Sequence, residues 1–382
     1  MTPTILIFVS YYLPGFKAGG PMQSIANLVD HLGDEFTFRI VTNDRDMSDT
    51  SPYPDIRPGV WLPVGKAQVC YLSPKLQRLH FIARLLNDTP HDILYLNSFF
   101  DPRFTTLPLL MRRLGLAPHC PTILAPRGEF SAGALALKAR KKRIFMAASR
   151  VIRLHSDLTY QASSEHEASD IRHTLDSIAQ DIHVASDLPR RVPPTAKIAR
   201  RKQSDPLRVT FLSRISPMKN LLFALKVLTK VRVPVIFSIY GPKEDEDYWQ
   251  RCEDVIKTLP QNIDTIYCGS VDPSEVITIL SKHNLFFLPT LGENYGHVIA
   301  EAFQAGLPVL LSDQTPWLNL EEAGLGCDLP LGQVEPFANY IEKIANQSPE
   351  QCNSMKQRII EKASQIADVS THLAANRRLF KF

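Results

Sequence analysis

Two glutamates at the start of a predicted helix are the residues whose spacing says most about chemistry. They lie in GENYGHVIAEAFQAGLPVLLSD, Gly292–Asp313, where seven residues separate Glu293 from Glu301. The pattern predicts that a helix begins near Tyr295 or Gly296, with Glu301 in its second turn. A helix N-terminus presents free N–H groups and a partial positive charge, which suit a diphosphate. We therefore expect the two carboxylates to flank a phosphate site; the alternative is an acidic helix start that the helix dipole stabilises.

Two cations in FLSRISPMKN, Phe211–Asn220, complement these carboxylates. Arg214 offers a planar fork and Lys219 a point charge, and both suit phosphate oxygens. Together they take the place of a divalent cation, and no Asp-x-Asp motif stands in a suitable place, so we expect no metal and no cofactor. Either cation alone would be interpreted as a solvated surface charge. The pair, with two glutamates downstream, indicates a ligand site.

The same segments resemble a known family. Glu-x7-Glu followed by A-x-x-A-G-x-P-V resembles the donor-binding motif of family 4 retaining glycosyltransferases, and the two cations resemble its G-R-x-x-x-x-K segment, with Ser213 where glycine is commoner. The resemblance is strongest over Arg208–Asp313. The segment Ala125–Glu129 resembles a variant of a sub-branch that builds bacterial surface polysaccharides such as O-antigen or capsule. It implies that Glu293 holds the donor sugar and Glu301 the ribose. Around the donor it places Asn294, Tyr295, Gly296, His297, Gly19, Gly20 and Gly241.

Glycine-rich turns predict further contacts with the donor. Gly19 and Gly20 lie between the first strand and the first helix, and the resemblance implies that they approach the donor phosphate from the first domain. Gly241 directly follows a strand, where the family's nucleotide approaches. CGSV, Cys268–Val271, occupies the loop that meets the base in the family. Ordinary tight turns are the alternative interpretation of each glycine.

The segment Ala125–Glu129, APRGE, departs from the family pattern. Many members carry a histidine there that contacts the donor sugar, and Arg127 is the candidate for that position. An arginine cannot act as a base, so its role would be electrostatic. Glu129 is either a polar group facing the acceptor or a carboxylate at a helix start. Asn97 and Ser98, at another strand end, either line the acceptor side or are satisfied loop residues.

Strand-like apolar runs alternate with amphipathic helical stretches in both halves of the chain. Alternation of this kind predicts parallel sheets covered by helices, and it occurs twice within 382 residues. The predicted fold class is therefore α/β, with two Rossmann-like doubly wound domains facing across a cleft (GT-B). We predict an acceptor-side domain at 1–188, a linker at 189–206, a nucleotide-sugar-binding domain at 207–365, and a C-terminal helix at 366–382 that packs back on the first domain.

Composition narrows the function class. The chain has 44% hydrophobic and 21% charged residues and a net charge of +4, which does not suggest nucleic-acid binding. Six scattered cysteines are typical of reduced thiols in a cytosolic protein. The N-terminal apolar run reads as a strand instead of a signal peptide, and we expect any membrane contact to be peripheral, on the inner face of the plasma membrane.

The predicted activity is retaining, metal-independent hexosyl transfer from a nucleotide-diphosphate sugar, with UDP favoured. The predicted acceptor is a polyprenyl-diphosphate-linked, lipopolysaccharide or polysaccharide molecule at the cytoplasmic membrane face. A nucleotide-sugar 2-epimerase or a non-catalytic sugar-nucleotide binding subunit of the same fold is the alternative. A retaining phosphorylase would need a pyridoxal phosphate lysine and a longer chain.

A basic helix predicts a second kind of partner. Lys138–Arg153 holds seven lysines and arginines and no acid. On a helical wheel its apolar residues gather on one side, which we expect to pack on the fold, with most cations opposite. The cations predict docking on an anionic membrane surface or attraction of a lipid diphosphate; a solvated basic face is the alternative.

Overall fold

The computed structural model describes residues 2–191, 205–366 and 369–381. The chain forms two compact units, one made of Met1–Leu188 with Val369–Phe382 and the other of Pro189–Asp368. Most of the predicted linker, residues 192–204, lies outside the described residues.

The N-terminal unit is built on an eight-stranded sheet in the order β3-β4-β2-β1-β5-β6-β7-β8. Only the β3–β4 hairpin pairs antiparallel. Side chains of β1 alternate between two apolar clusters, one with Leu6 and Phe8 and the other with Ile5 and Ile7, so helices cover both faces of the sheet. The strands are β1 (Thr4–Phe8), β2 (Thr37–Asn43), β3 (Trp61–Val64), β4 (Ala67–Leu72), β5 (Ile93–Asn97), β6 (Thr122–Ala125), β7 (Thr159–Ala162) and β8 (Asp181–Val184). Its helices before the second unit are α1 (Gly20–Leu32), α2 (Leu79–Asp88), α3 (Leu107–Arg113), α4 (Ala132–Ala136), α5 (Ala139–Val151) and α6 (Glu165–Leu175).

The C-terminal unit has a six-stranded parallel sheet in the order β11-β10-β9-β12-β13-β14. One continuous apolar core packs on it. The strands are β9 (Leu207–Leu212), β10 (Val235–Tyr240), β11 (Ile263–Gly269), β12 (Leu285–Leu288), β13 (Val309–Ser312) and β14 (Gly326–Leu329). The helices are α7 (Leu221–Leu228), α8 (Glu246–Ile256), α9 (Val276–Leu280), α10 (His297–Gln304), α11 (Leu320–Ala323), α12 (Glu335–Ala345) and α13 (Pro349–Ile366).

The last helix, α14 (Val369–Leu379), belongs to the N-terminal unit. Phe380, directly after it, is buried and packs edge-on against Phe36, Phe38 and Tyr95 at ring-centroid distances of 5.5, 6.3 and 5.6 Å. The last residues of the chain therefore complete the core of the first unit.

The apolar runs of the sequence predict six strands in the first half of the chain and five in the second, and they leave out β3, β8 and β14. Each is the outermost strand of its sheet. Edge strands are half exposed and need no uninterrupted apolar run, and β3 even contains Pro63. The two doubly wound α/β units themselves are as predicted.

The orientation of the basic helix α5 contradicts the prediction that its apolar residues pack on the fold. Ile144, Val151 and Ile152 are 71, 83 and 49% exposed. The buried side is formed by Ser149 and Phe145, the latter against Phe99 and Phe100. The aromatic cluster below the helix selects Phe145, so the aliphatic side chains face outward. Within the described ranges, no helix is long and apolar enough to cross a bilayer.

Candidate active site

The reversal of strand order in the C-terminal sheet defines where a ligand site is expected. The chain places β10 on one side of β9 and β12 on the other, and ligands of doubly wound sheets bind outside the carboxyl ends of strands at such a point. The loops that follow β9 and β12 are joined there by two hydrogen bonds to the Met218 carbonyl. The Leu291 amide donates at 2.8 Å and the Thr290 hydroxyl at 3.0 Å.

This junction brings together two predicted residues that are 74 positions apart. The Lys219 ammonium donates to Glu293 Oε1 at 2.5 Å, and the two side chains are only 12 and 13% exposed. The Glu293 amide in turn donates to the Gln314 carbonyl at 3.0 Å. Backbone contacts therefore hold both loops in place. The charged pair lies where the strand order of the sheet reverses, and both of its side chains are largely buried.

Glu301 lies in the second turn of α10, as the sequence predicts. It is 8% exposed, and no hydrogen bond to its carboxylate is formed within the described ranges. Burial raises its pKa to about 7, while the charges of His297 and Arg190 act in the opposite direction. A buried carboxylate without a donor is costly, which is the expected state of a group whose partner is a ligand.

The start of α10 is shaped by Gly296 and Trp317. Gly296 precedes the helix with φ 78°, and a Cβ there would lie 2.7 Å from Ile299 Cδ1, so a larger residue is excluded. The Trp317 indole N–H donates to the Tyr295 carbonyl at 2.5 Å, and the Tyr295 ring contacts that of His297 at 4.8 Å. The predicted donor contacts Asn294–His297 thus form a turn at the N-terminus of α10, and the hydrogen bond from Trp317 stabilises it. Trp317 was not predicted, since nothing local marks it.

Arg214 is held by a residue that the sequence analysis did not identify. Its Nη1 donates to Glu244 Oε1 at 2.8 Å, with the two side chains 31 and 33% exposed. Both predicted phosphate-binding cations of this unit are therefore paired with carboxylates. A partly exposed pair such as Arg214–Glu244 exchanges partners at little cost.

Gly241 fixes the neighbouring turn. Its φ is 135°, and a Cβ would lie 1.8 Å from the Ser213 carbonyl oxygen, directly before Arg214. The Gly241 amide donates to the Gly269 carbonyl at 2.8 Å. The loops after β9, β10 and β11 are thereby tied together, and exposed Cys268 lies at the end of β11 in the predicted base loop.

In the N-terminal unit the strand order reverses between β1 and β5. The predicted glycines start α1 here: Gly19 caps it with φ 73°, and Gly20 is its first residue. The loop before them is held by buried Asp46, which accepts from the amides of Phe16 and Lys17 at 2.8 and 3.1 Å.

A hydroxyl–carboxylate contact that was not predicted joins the loops after β1 and β5. The Ser10 hydroxyl donates to Asp101 Oδ2. The other oxygen of Asp101 caps a short π-helical turn, Pro102–Thr106, by accepting from the amides of Arg103 and Phe104 at 2.8 and 2.7 Å. Asp101 therefore holds together the loops at the point where the strand order of this sheet reverses.

Arg127 lies inside the N-terminal unit, in a network that occupies its guanidinium. Nη1 donates to Asp187 Oδ1 at 2.6 Å, Nη2 to the Tyr95 hydroxyl at 2.8 Å, and both Nε and Nη2 to Asn97 Oδ1 at 3.0 and 2.8 Å. The side chains of Arg127 and Asp187 are each 5% exposed. The local carboxylate, amide and hydroxyl oxygens satisfy the guanidinium, and its contact with a donor sugar stays a prediction.

Asp187 is also tied to the first helix. Its Oδ2 accepts from the Ser24 hydroxyl at 2.7 Å, and Asn27 Nδ2 donates to the Leu188 carbonyl at 2.7 Å. Arg127 and α1 therefore clamp the segment through which the chain leaves this unit.

Glu129, the other candidate in this segment, stabilises the turn that follows β5. It accepts from the Ser98 hydroxyl at 2.7 Å and from the amides of Phe99 and Phe100 at 2.5 and 3.2 Å. Burial raises its pKa, and these hydrogen bonds oppose the shift. Both alternatives for Glu129, an acceptor-facing group and a helix-start carboxylate, give way to a structural role.

One family model matches the C-terminal part of the chain. Residues 194–364 match the model of the family described as Glycosyl transferases group 1. Among curated proteins, no sequence matches this one significantly.

Solved structures match over nearly the whole chain. HepE from Anabaena in complex with UDP-glucose has a TM-score of 0.70 at 15% identity and covers 99% of each chain. Sucrose-phosphate synthase from Thermosynechococcus elongatus has a TM-score of 0.74 at 14% identity, covering 100% of this chain and 98% of its own. WaaG, a glycosyltransferase involved in lipopolysaccharide biosynthesis, has a TM-score of 0.66 at 12% identity, covering 96% of this chain and 99% of its own. The two-Rossmann GT-B fold is thereby established.

Proposed function

We propose that this glycosyltransferase binds a UDP-hexose on its C-terminal unit and transfers the hexose to an acceptor hydroxyl with retained configuration and without a metal. The observation that carries the proposal is the Lys219–Glu293 pair, 2.5 Å long, at the point where the strand order of the sheet reverses. The family match spans this unit. A nucleotide diphosphate needs cations and amide donors at this place, and a sugar needs a carboxylate.

Each part of the donor, namely the sugar, the ribose and the diphosphate, is assigned to the residues whose chemistry suits it. Glu293 orients the sugar, and Glu301 accepts hydrogen bonds from the ribose hydroxyls. Lys219 and the N–H groups at the start of α10 stabilise the departing diphosphate. Arg214 joins them by exchanging Glu244 for a phosphate oxygen. The bond from the anomeric carbon to the phosphate oxygen breaks, the acceptor oxygen bonds that carbon, and the acceptor proton passes to the departing phosphate.

Arg127 receives a positioning role in this scheme. Its four hydrogen bonds hold Asp187 and Asn97 in place inside the N-terminal unit. Gly19 and Gly20 remain predicted phosphate contacts, and Gly241 keeps the turn beside Arg214 tight.

The proposed acceptor is a lipid-linked or lipopolysaccharide-type molecule at the cytoplasmic face of the membrane. Two observations support it. A structural relative, WaaG, is described as acting in lipopolysaccharide biosynthesis, and the exposed basic helix α5 suits an anionic, membrane-borne partner.

Incubation of the full chain with radiolabelled UDP-sugars and a lipid extract tests the activity. We expect a labelled, lipid-soluble product whose new linkage is α. An epimerised nucleotide sugar would identify a 2-epimerase instead, and binding without turnover would identify a non-catalytic subunit. A thermal-shift screen of nucleotide sugars selects the donor beforehand, because a ligand that binds the folded state raises the melting temperature.

A further inference from the structure

The outward surface of α5 combines aliphatic side chains with uncompensated positive charge. Ile144 and Val151 are 71 and 83% exposed, and Leu137 and Ile152, at either end, are each 49% exposed. Single exposed aliphatic residues are normal on a protein surface, whereas a group of four on one short segment marks an interaction site.

Two of these side chains, Ile144 and Val151, lie on one ridge of α5. Arg140, Ile144, Ala147 and Val151 are spaced four, three and four residues apart, so they line one face of the helix over about 17 Å. The opposite face is anchored in the unit by Phe145, which packs against Phe99 and Phe100. The ridge therefore points away from the core.

Cations flank the ridge on both sides. Arg143 and Arg150 lie along one flank and Lys141 along the other, all exposed. Among the described residues, none of the cations of Lys138–Arg153 forms an ion pair with an acid. Lys142 alone is turned inward, donating to the Ala134 carbonyl at 2.8 Å and lying 4.8 Å from the centroid of the Phe100 ring.

We propose that α5 docks flat on an anionic lipid bilayer, with Ile144 and Val151 inserted among the acyl chains and the flanking cations at the headgroups. An apolar stripe bordered by lysine and arginine is the arrangement of helices that lie in the bilayer interface. A second copy of this chain would bring seven like charges against seven, because Lys138–Arg153 holds seven cations and no acid. Charge complementarity thus selects anionic lipid as the occupant. The proposal does not depend on the donor chemistry.

Flotation of the full chain with vesicles, without nucleotide sugar, tests the proposal. We expect at least about 100-fold stronger association with phosphatidylcholine–phosphatidylglycerol vesicles than with phosphatidylcholine alone, decreasing with salt. Replacing Arg140, Lys141 and Arg143 by glutamine should weaken association about 100-fold, at about fivefold per cation. The matched control removes three exposed cations of the other unit, K226Q/K230Q/R232Q, and should leave association within about twofold.

The inserted ridge is tested separately with I144S/V151S. These exposed positions tolerate serine, and we expect at least about tenfold weaker association that stays sensitive to salt. L114S/L116S, which removes two exposed leucines outside α5, is the matched control. Equal binding of I144S/V151S and wild type would overturn the insertion, and binding independent of lipid charge would overturn the docking. A concentration-dependent dimer in light scattering, lost in I144S/V151S, would assign the ridge to a second copy instead.

Discussion

The two units each hold a cation against a carboxylate near the carboxyl ends of their strands, and they do so in opposite ways. In the C-terminal unit, Lys219 contacts Glu293 through one bond, at 12 and 13% exposure. In the N-terminal unit, Arg127 makes four bonds, and its partner Asp187 is bound from α1 as well. The first pair has unused donor and acceptor capacity for a ligand, whereas the second has little.

The difference teaches how a charged pair is assigned to function or to structure. A lysine ammonium has three donors, and one carboxylate satisfies only part of them. A guanidinium with Asp187, Asn97 and Tyr95 around it is satisfied in place, and removing one partner leaves a buried charge. We therefore expect mutations of the first pair to affect turnover and mutations of the second to affect stability.

Glu293→Ala should produce the largest effect, a loss of about 10³-fold or more in turnover, or about 4 kcal/mol of transition-state stabilisation. The carboxylate that orients the donor sugar is lost, while the backbone contacts that hold its loop remain. Transfer from a labelled UDP-sugar measures turnover, and urea denaturation measures the free energy of unfolding.

Lys219→Ala tests the other member of the charged pair in the C-terminal unit. It should weaken UDP binding about tenfold or more in titration calorimetry, because a phosphate contact is removed. Near-normal transfer by Glu293→Ala, or an unchanged UDP dissociation constant in Lys219→Ala, would remove that residue from the site.

Arg127→Ala should lower the free energy of unfolding by about 3 kcal/mol or more, because Asp187 is left buried without its partner. Arg377→Ala is the matched control: Arg377 pairs with Glu35 in the same unit, but the two side chains are 38 and 42% exposed. This surface pair should contribute about 1 kcal/mol or less. Equal losses in the two variants, measured by urea denaturation, would show that the Arg127 network is no more structural than a surface pair.

Glu301 gives a smaller, pH-dependent effect. Its folded-state pKa of about 7 lies above the ordinary value of 4.5, so the native state binds the proton more tightly and stability falls as pH rises from about 4.5 to about 7. Glu301→Gln removes this penalty, and it should gain up to about 3 kcal/mol over wild type at about pH 8 and nothing near pH 4. Urea denaturation across this range measures the difference, and a pH-independent gain would contradict the assigned ionisation.

UDP binding provides the second measurement on Glu301. If ribose hydroxyls donate to the charged carboxylate, binding near pH 6 releases a proton, which calorimetry in buffers of different ionisation enthalpy detects. Glu301→Gln should bind UDP about tenfold more weakly and release none.

Much of the fold and part of the site could be predicted from the sequence. Continuous apolar runs such as Val235–Tyr240 identify buried parallel strands, and the prediction of a glycosyltransferase is confirmed by the match over residues 194–364. The start of α10 next to Gly296 and the position of Glu301 in its second turn were predicted correctly, because helix starts have local signals. The individual site roles stay predictions.

The remaining features depend on contacts distant in sequence. The roles of Glu244 and Trp317 could not be predicted, because only the folded chain places them beside Arg214 and Tyr295. The helical wheel of α5 placed Phe145 and Ile144 on one side, whereas only Phe145 packs against Phe99, since periodicity does not reveal the neighbouring residues. The network around Arg127 could not be predicted for the same reason: Asp187 lies 60 positions away.

The return of the last helix to the first unit has a consequence for synthesis. The ribosome delivers all of Pro189–Asp368 before it delivers Phe380, whose ring closes the cluster of Phe36, Phe38 and Tyr95. Domains fold as units once their chain has been synthesised. The C-terminal unit can therefore fold on the nascent chain before α14 and Phe380 are available to pack on the N-terminal unit. The core of the N-terminal unit is therefore completed only after the whole C-terminal unit has been synthesised.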